Sequence, residues 1–248
     1  MSGASLDTAR AARPRFAERS REPELMDTEE VSLEDFRACL RDLATVNTLT
    51  LAKGPTLAWL AQATRGMKRG DRVTLLDVGF GYGDTLRAIH RWCVARGFEP
   101  DLMGVDLNPW SAASAREATP PDMAIAYHTA DVFAFAPERP VQFVVSSLFT
   151  HHLPDAELVR FVAFMERFAT RGWYVNDLHR HAVPYYGFAA MARLARWHRF
   201  VQHDGPVSIA RSFRRADWER IVDAAGIDRS AVEIRWHVPF RLCVGRVK

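Results

Sequence analysis

From Val73 onward the chain alternates short apolar runs with helical stretches, and this alternation limits the fold more than any single motif does. The apolar runs are VTLLDV (73–78), LMGVD (102–106), MAIAY (123–127), QFVVSS (142–147) and WYVND (173–177). Between them lie helical stretches at 84–96, 109–117 and 155–169; in the last, Leu158, Phe161, Val162, Met165 and Phe168 recur at helical spacing. Strands separated by helices build a parallel sheet with helices on both faces. The end of the chain departs from this order. VEIRWHV and RLCVGRV flank a turn at Pro239 with little between them, so an antiparallel closing strand is expected. The fold class is α/β, a doubly wound, mostly parallel sheet with added N-terminal helices and a helical insertion.

One domain over residues 25–248 accounts for the pattern. Residues 1–24, rich in Arg, Glu, Ser and Pro without apolar period, read as a mobile arm that docks at its end, near Glu24–Asp27. Two helices follow within 25–69. Ser32 can cap the first, Asp35 sits at capping-box spacing, and Leu33, Phe36, Leu40 and Leu43 share one face. Gly54-Pro55 restarts a second helix that ends before Gly66. The core that would hold a ligand spans 70–180, a helical insertion spans 181–212, and a closing helix and strand pair fill 213–248.

Composition narrows the function classes. With 48% hydrophobic and 25% charged residues, the 248-residue chain can bury a sizeable core. The formal charge of +3 is carried by scattered arginines, so no dedicated nucleic-acid surface is expected. Cys39, Cys93 and Cys243 are far apart, which supports neither a disulfide framework nor a cysteine zinc site and fits a reducing cytoplasm. No apolar run reaches membrane-spanning length, and the Arg-rich start lacks the apolar centre of a signal peptide.

The stretch LLDVGFGYGDTL (75–86) runs a strand into Gly79, Gly81 and Gly83, where missing Cβ atoms permit tight turns and close ligand approach. In an open parallel sheet that is where ligands sit. A phosphate loop needs Lys and then Ser or Thr after the glycines, and here Asp84-Thr85 follows. A dinucleotide fingerprint fails too, because Asp84 occupies its last glycine position and would repel a pyrophosphate, which disfavours a nicotinamide oxidoreductase. Asp77 and Asp84 around these glycines suit a ligand with a positive centre, an ammonium and one carboxylate. Asp106, ending the second strand, can accept both hydroxyls of a ribose, with Leu107 beside it to pack an adenine face. Asp131, after the third strand, can accept from an adenine amino group. Each signal alone is a common turn feature; three at successive strand ends are not.

The order LLDVGFGYGD, GVDLNP, ADVF and FVVSSLFTHHLPD resembles the class I S-adenosylmethionine-dependent methyltransferases over roughly residues 70–180. The resemblance implies a seven-stranded sheet with its last strand antiparallel, and S-adenosylmethionine as cofactor. It implies that Asp77, Gly79, Gly81 and Gly83 hold the methionine end, Asp106 the ribose, and Asp131 with Val132 flank the adenine. Phe80 departs from the small or Cys residue common there and is expected to pack. PELMD, HHLPD and NDLHR look more narrowly like small-molecule methyltransferases of polyketide and quinone biosynthesis.

Absences point to the acceptor. SSLFTHH replaces the Asn/Asp-Pro-Pro-Tyr/Phe of base-amino methylation, and no Pro-Cys nucleophile occurs. Ser146-Ser147 and Asn176-Asp177 give only part of the acidic set used in metal-dependent catechol methylation, which argues against a metal. The His179-x-His181 spacing could suit a metal pair in extended chain, but no further ligand is evident. Base candidates are His151 and His152 after the fourth strand, with Asp177 or His179 after the fifth to orient or replace them. His152 is placed ahead, because the Leu-Pro that follows would fix the start of its helix. The segment around Tyr185, Tyr186, Phe188, Met191, Trp197 and Phe200 is either a lid over an apolar substrate or a helix packed on the sheet. The expected reaction is methylation of a small apolar acceptor at a phenolic oxygen. Carbon methylation of a quinone-like ring and a non-catalytic subunit are the alternatives.

Overall fold

The computed structural model describes residues 16–29, 32–137 and 139–248. Three helices precede the sheet: α1 (Leu25–Thr28), α2 (Leu33–Leu49) and α3 (Gly54–Ala63). The Ser32 hydroxyl accepts the Asp35 amide at 3.1 Å and so caps α2, as the spacing predicts. Phe36 and Leu40 are buried on the inner face of that helix. The Leu33 side chain lies outside the described set.

The core alternates β1 (Arg72–Val78), α4 (Asp84–Arg96), β2 (Glu99–Asp106), α5 (Pro109–Glu117), β3 (Ile125–Thr129), β4 (Val141–Ser147), α6 (Asp155–Phe168) and β5 (Ala169–Leu178). Helices α7 (Ala182–Leu194), α8 (Arg199–Arg211) and α9 (Arg215–Ala224) follow, then β6 (Glu233–His237) and β7 (Arg241–Val247). The seven strands lie in the order β3-β2-β1-β4-β5-β7-β6, and β7 is antiparallel to both neighbours. This is the sheet that the alternation and the closing pair led one to expect. Its strand order reverses between β1 and β4, so the crevice beyond their carboxyl ends is the natural ligand position.

Strand neighbours point to opposite faces, which explains the two cores. Leu75, Phe143 and Val145 pack with Trp59 and Ile89 on the α3–α4 side. Leu76, Val144 and Val175 pack with Phe161 and Trp218 on the α6–α9 side. A third, smaller core joins Cys39 and Val46 of α2 to Phe200 and Val201 of α8. The three cysteines are free and buried. Among the described residues no helix is long and apolar enough to cross a membrane.

Several boundaries differ from expectation, among them the start of the second strand, at Glu99 rather than Leu102. The third strand begins at Ile125 rather than Met123, because the Met123 amide closes a turn on the Pro120 carbonyl at 3.0 Å. The fifth begins at Ala169, where α6 passes into β5 without a loop and Ala169 pairs with Val141. Of the arm read as mobile, residues 1–15 lie outside the described set, while residues 16–24 are docked on the body. Buried Arg180 donates from Nε to the Phe16 carbonyl at 3.0 Å and from Nη2 to the Ala17 carbonyl at 3.1 Å. Arg19 donates to the carbonyls of His151 and Leu153 and pairs with Asp155 at 2.5 Å. Phe16 also packs edge-on against Tyr185 and Tyr186, and a single aromatic side chain gives composition no apolar period to detect.

Candidate active site

The chain leaves β1 through Gly79, Gly81 and Gly83, all at positive φ. A Cβ at Gly79 would lie 2.6 Å from the Phe149 ring, whereas one at Gly81 would meet nothing within 4 Å. Gly79 is therefore required by packing inside the protein, and Gly81 faces open space where a ligand can approach. The Gly81 amide donates to Asp106 at 2.9 Å, and the Asn108 amide donates to the other oxygen of that carboxylate, also at 2.9 Å. The Ser111 hydroxyl also reaches this carboxylate. Burial pushes the Asp106 carboxyl up, and the two amides oppose that shift. Phe80 is buried and its ring lies 5.0 Å from that of Tyr127, so it packs, as expected.

The adenine candidates are placed differently. Leu107 is 72% exposed beside Asp106, and the exposed Asp131 accepts the Phe133 amide at 2.9 Å. At Val132 the backbone, not the side chain, is left to meet a nucleobase. The side chain is buried in the α6-side core, because an apolar side chain at that turn gains more by packing there.

A cavity of about 590 Å³ opens beyond the glycine loop. Leu40 and Leu43 of α2, Phe188 and Met191 of α7, and Phe200 and Val201 of α8 give it apolar walls. The insertion thus covers the cavity. At the glycine end, Asp77 is fully buried and its Oδ1 has no hydrogen-bond partner among the described residues. Burial holds its carboxyl well above the ordinary range, and the charges of Asp84 and Asp106 push the same way. Asp84 pairs with Lys53 at 3.0 Å. Arg241, at the start of β7, also lines the cavity.

The other polar end is built on two strand ends. After β4 the chain forms a short 3-10 turn, Thr150–His152, and β5 delivers Asp177 beside it. The Asp177 carboxylate accepts the Thr150 hydroxyl at 2.5 Å, the His151 amide at 3.1 Å and the Leu178 amide at 2.7 Å. His151 Nδ1 lies 2.8 Å from it. Burial alone would raise the Asp177 carboxyl. The His151 charge and these hydrogen bonds outweigh burial and hold it at about 2. An ionised Asp177 can only accept, so Nδ1 of His151 carries the proton and Nε2 is left as the acceptor in neutral imidazole.

His151 Nε2 lies 3.7 Å from one oxygen of Glu24, and His152 Nε2 lies 3.8 Å from the other. Glu24 is anchored from α8, where the Ser208 hydroxyl donates to it at 2.9 Å. Asp204 accepts the next two backbone amides, those of Leu25 and Met26, at 2.8 and 3.1 Å. The ligand atoms of Glu24, His151 and His152 lie within 4.8 Å of one another, close enough to share a cation.

Of the expected base set, the structure brings together His151, His152 and Asp177. It does not bring in His179, which is absent from the cavity lining. The His179 amide donates to the Phe240 carbonyl at 2.9 Å, and its ring stacks on His181 at 5.9 Å. The His181 Nδ1 accepts the Val183 amide, so this pair serves the start of α7. His152, placed ahead from sequence, is half-buried, while His151 is 3% exposed and is the one oriented by Asp177. Glu24, Asp204, Ser208 and Arg241 escaped the sequence reading. Only the first had a signal, in PELMD.

Residues 75–172 match the family model described as a methyltransferase domain. By sequence, no curated protein matches the chain significantly. Among solved structures, magnesium protoporphyrin IX methyltransferase from Synechocystis PCC 6803 with bound SAH is 14% identical. It aligns over 89% of this chain and 89% of its own, with a TM-score of 0.54. The plantazolicin methyltransferase BpumL, in complex with a triazolic analogue and SAH, is 12% identical over 87% of this chain and 96% of its own, TM-score 0.62. A pericyclic reaction enzyme is 12% identical over 76% of this chain and 47% of its own, TM-score 0.53. At such identities the likeness is one of fold.

Proposed function

We propose that this chain, a class I S-adenosylmethionine-dependent methyltransferase whose methyltransferase domain spans residues 75–172, methylates a phenolic oxygen of a small, largely apolar acceptor of polyketide or quinone type. The observation that carries the reading is the meeting, in one apolar cavity, of an open glycine loop and an Asp-oriented imidazole.

The residues present fit the cofactor. Asp77 offers a buried carboxylate oxygen without a partner among the described residues, Gly81 leaves room at its Cβ, and the Gly81 amide ties the Asp106 carboxylate to the loop. Asp77, Gly79, Gly81 and Gly83 would hold the methionine end and Asp106 the ribose, with Leu107, Asp131 and the turn at Val132 toward the adenine. When bound, the cofactor supplies an electrophilic methyl group on a sulfonium. The chain's own work is positioning and proton removal. Helices α2, α7 and α8 hold the acceptor against the loop and exclude water, and positioning alone can give much of the rate of an in-line displacement. A phenol with a pKa of about 10 is mostly protonated at neutral pH. His151 Nε2 accepts that proton, Nδ1–H stays on Asp177, and the imidazolium gains from the buried carboxylate. Such base catalysis contributes roughly 10²–10⁴-fold.

A second reading rests on the cluster of Glu24, His151 and His152, which could hold a divalent cation with Asp177 behind His151. The Arg211 guanidinium, 3.9 Å from Glu24, opposes a second cation there. The test is turnover of labelled S-adenosylmethionine against a panel of phenols and hydroxyquinones, before and after prolonged chelation. Methylated phenol formed at a chelation-insensitive rate supports the base reading. Loss restored by a divalent ion supports the metal centre, and no product with any acceptor overturns the acceptor class. Fragmentation of the product separates oxygen from carbon methylation.

A further inference from the structure

Arg241 is 3% exposed, and its Nε and Nη1 have no hydrogen-bond partner among the described residues. Its remaining nitrogen lies 3.5 Å from the Thr50 hydroxyl, a weak contact at best. Buried guanidinium groups are ordinarily paired, because an unmade charged hydrogen bond is costly. The side chain lines the cavity, on the first residue of β7 paired with Leu178. Thr50 ends α2, and Asp84 opens α4 just past the glycine loop, paired with Lys53. Asp77, with its own unpartnered oxygen, lines the same cavity. An unpartnered acid and an unpartnered guanidinium lining one cavity are complementary to a zwitterion, an ammonium and a carboxylate on adjacent atoms.

We infer that Arg241 binds a ligand carboxylate end-on with the unpartnered Nη1 and the weakly held Nη2, and that this carboxylate is the one at the amino-acid end of the cofactor, an assignment that rests on the cofactor reading above. The planar fork of Arg matches a carboxylate through two parallel N–H bonds, which Lys cannot reproduce. The same chemistry could come from an acidic acceptor. The charges of Asp177 and of Asp84 both reach Arg241, and the arms of the test below separate the two sources.

The test is calorimetric titration of the full chain with S-adenosylhomocysteine and with 5′-methylthioadenosine, which keeps the nucleoside and sulfur but lacks the amino-acid end. Arg241→Gln should weaken S-adenosylhomocysteine about ten- to a hundredfold and leave 5′-methylthioadenosine unchanged. Arg241→Lys should recover only part of the loss. Wild-type protein, whose folding is not in question, should prefer S-adenosylhomocysteine over its decarboxylated analogue by a similar factor. If Arg241→Gln weakens both ligands equally, or the wild type does not distinguish the decarboxylated analogue, the inference is overturned. If S-adenosylhomocysteine binding survives Arg241→Gln but an acidic acceptor no longer binds, the carboxylate is the acceptor's. No binding of S-adenosylhomocysteine to the wild type would instead overturn the cofactor reading.

Discussion

Asp177, at the end of β5, holds Nδ1 of His151 at 2.8 Å, while Nε2 of the same ring lies 3.7 Å from Glu24, and both His151 and Glu24 line the cavity. His151→Ala should therefore reduce turnover by roughly 10²–10⁴-fold at neutral pH with cofactor affinity unchanged. The lost rate should return as pH rises and the phenol ionises without help. Asp177→Asn should behave similarly, because an amide does not fix the tautomer. His152→Ala should cost far less. Steady-state kinetics over a pH series, with separate cofactor titration, check all three; equal losses in His151→Ala and His152→Ala would count against the assignment.

The same pair links stability to acid. Asp177 has its carboxyl depressed from 3.8 to about 2 in the folded chain. A depressed carboxylate adds stability that is present above its unfolded value and lost as pH falls through the folded one. The stability gap between wild type and Asp177→Asn should thus shrink between about pH 4 and pH 2. The amount is on the order of 2 kcal/mol. Denaturant melts of both proteins at successive pH values measure it; a gap independent of pH would contradict the depressed carboxyl.

Much of this arrangement was legible in the sequence, and the reasons differ by residue. The sheet followed from period and order, because strands buried on both faces must be apolar and crossover helices must be amphipathic. The glycine loop and Asp106 were legible because backbone geometry demands those residue types locally. His151 and His152 were legible as a pair but not in rank. Their order depends on Asp177, which comes from another strand. Ser208 and Arg241 were hidden for the same reason: each acts across more than 150 residues of chain and nothing in the neighbouring sequence marks it, whereas Glu24 was marked only by PELMD, as a docking end and not as a site residue. His179 misled because it stands near Asp177 in the chain, yet it lines no part of the cavity.

On the proposed cofactor reading, Asp77 trades stability for binding. Its carboxyl is buried without a partner on Oδ1, and burial raises it well above the ordinary range. A raised carboxylate destabilises the fold where it is forced to ionise, and the strain is relieved as pH falls. Asp77→Asn should melt higher than wild type at neutral pH without ligand, and bind S-adenosylhomocysteine more weakly. Thermal melts with and without ligand report both signs. A variant less stable and equally tight in binding would contradict this role.

The loop and the ribose carboxylate separate by kind of substitution. Asp106→Ala removes charge-assisted bonds worth roughly 1.5–3 kcal/mol, about ten- to a hundredfold in affinity. Gly81→Val should be worse, since a branched side chain enters the open space beside Gly81 and the φ of 51° disfavours it. Calorimetry with S-adenosylhomocysteine, with circular dichroism as the check on folding, distinguishes them. Unchanged affinity in both folded variants would remove the loop from the cofactor site.

The central claim is that methyl transfer to a small acceptor takes place in the cavity between the glycine loop and His151. The most direct measurement follows one methyl-labelled cofactor through both products, with a phenolic acceptor that the protein turns over. The account predicts that label appears in the acceptor and S-adenosylhomocysteine is released in equal amounts, and that both fall together in His151→Ala. Conversion of the acceptor with the cofactor bound but never consumed would contradict it, and would mean that this fold is used here for a reaction other than methyl transfer.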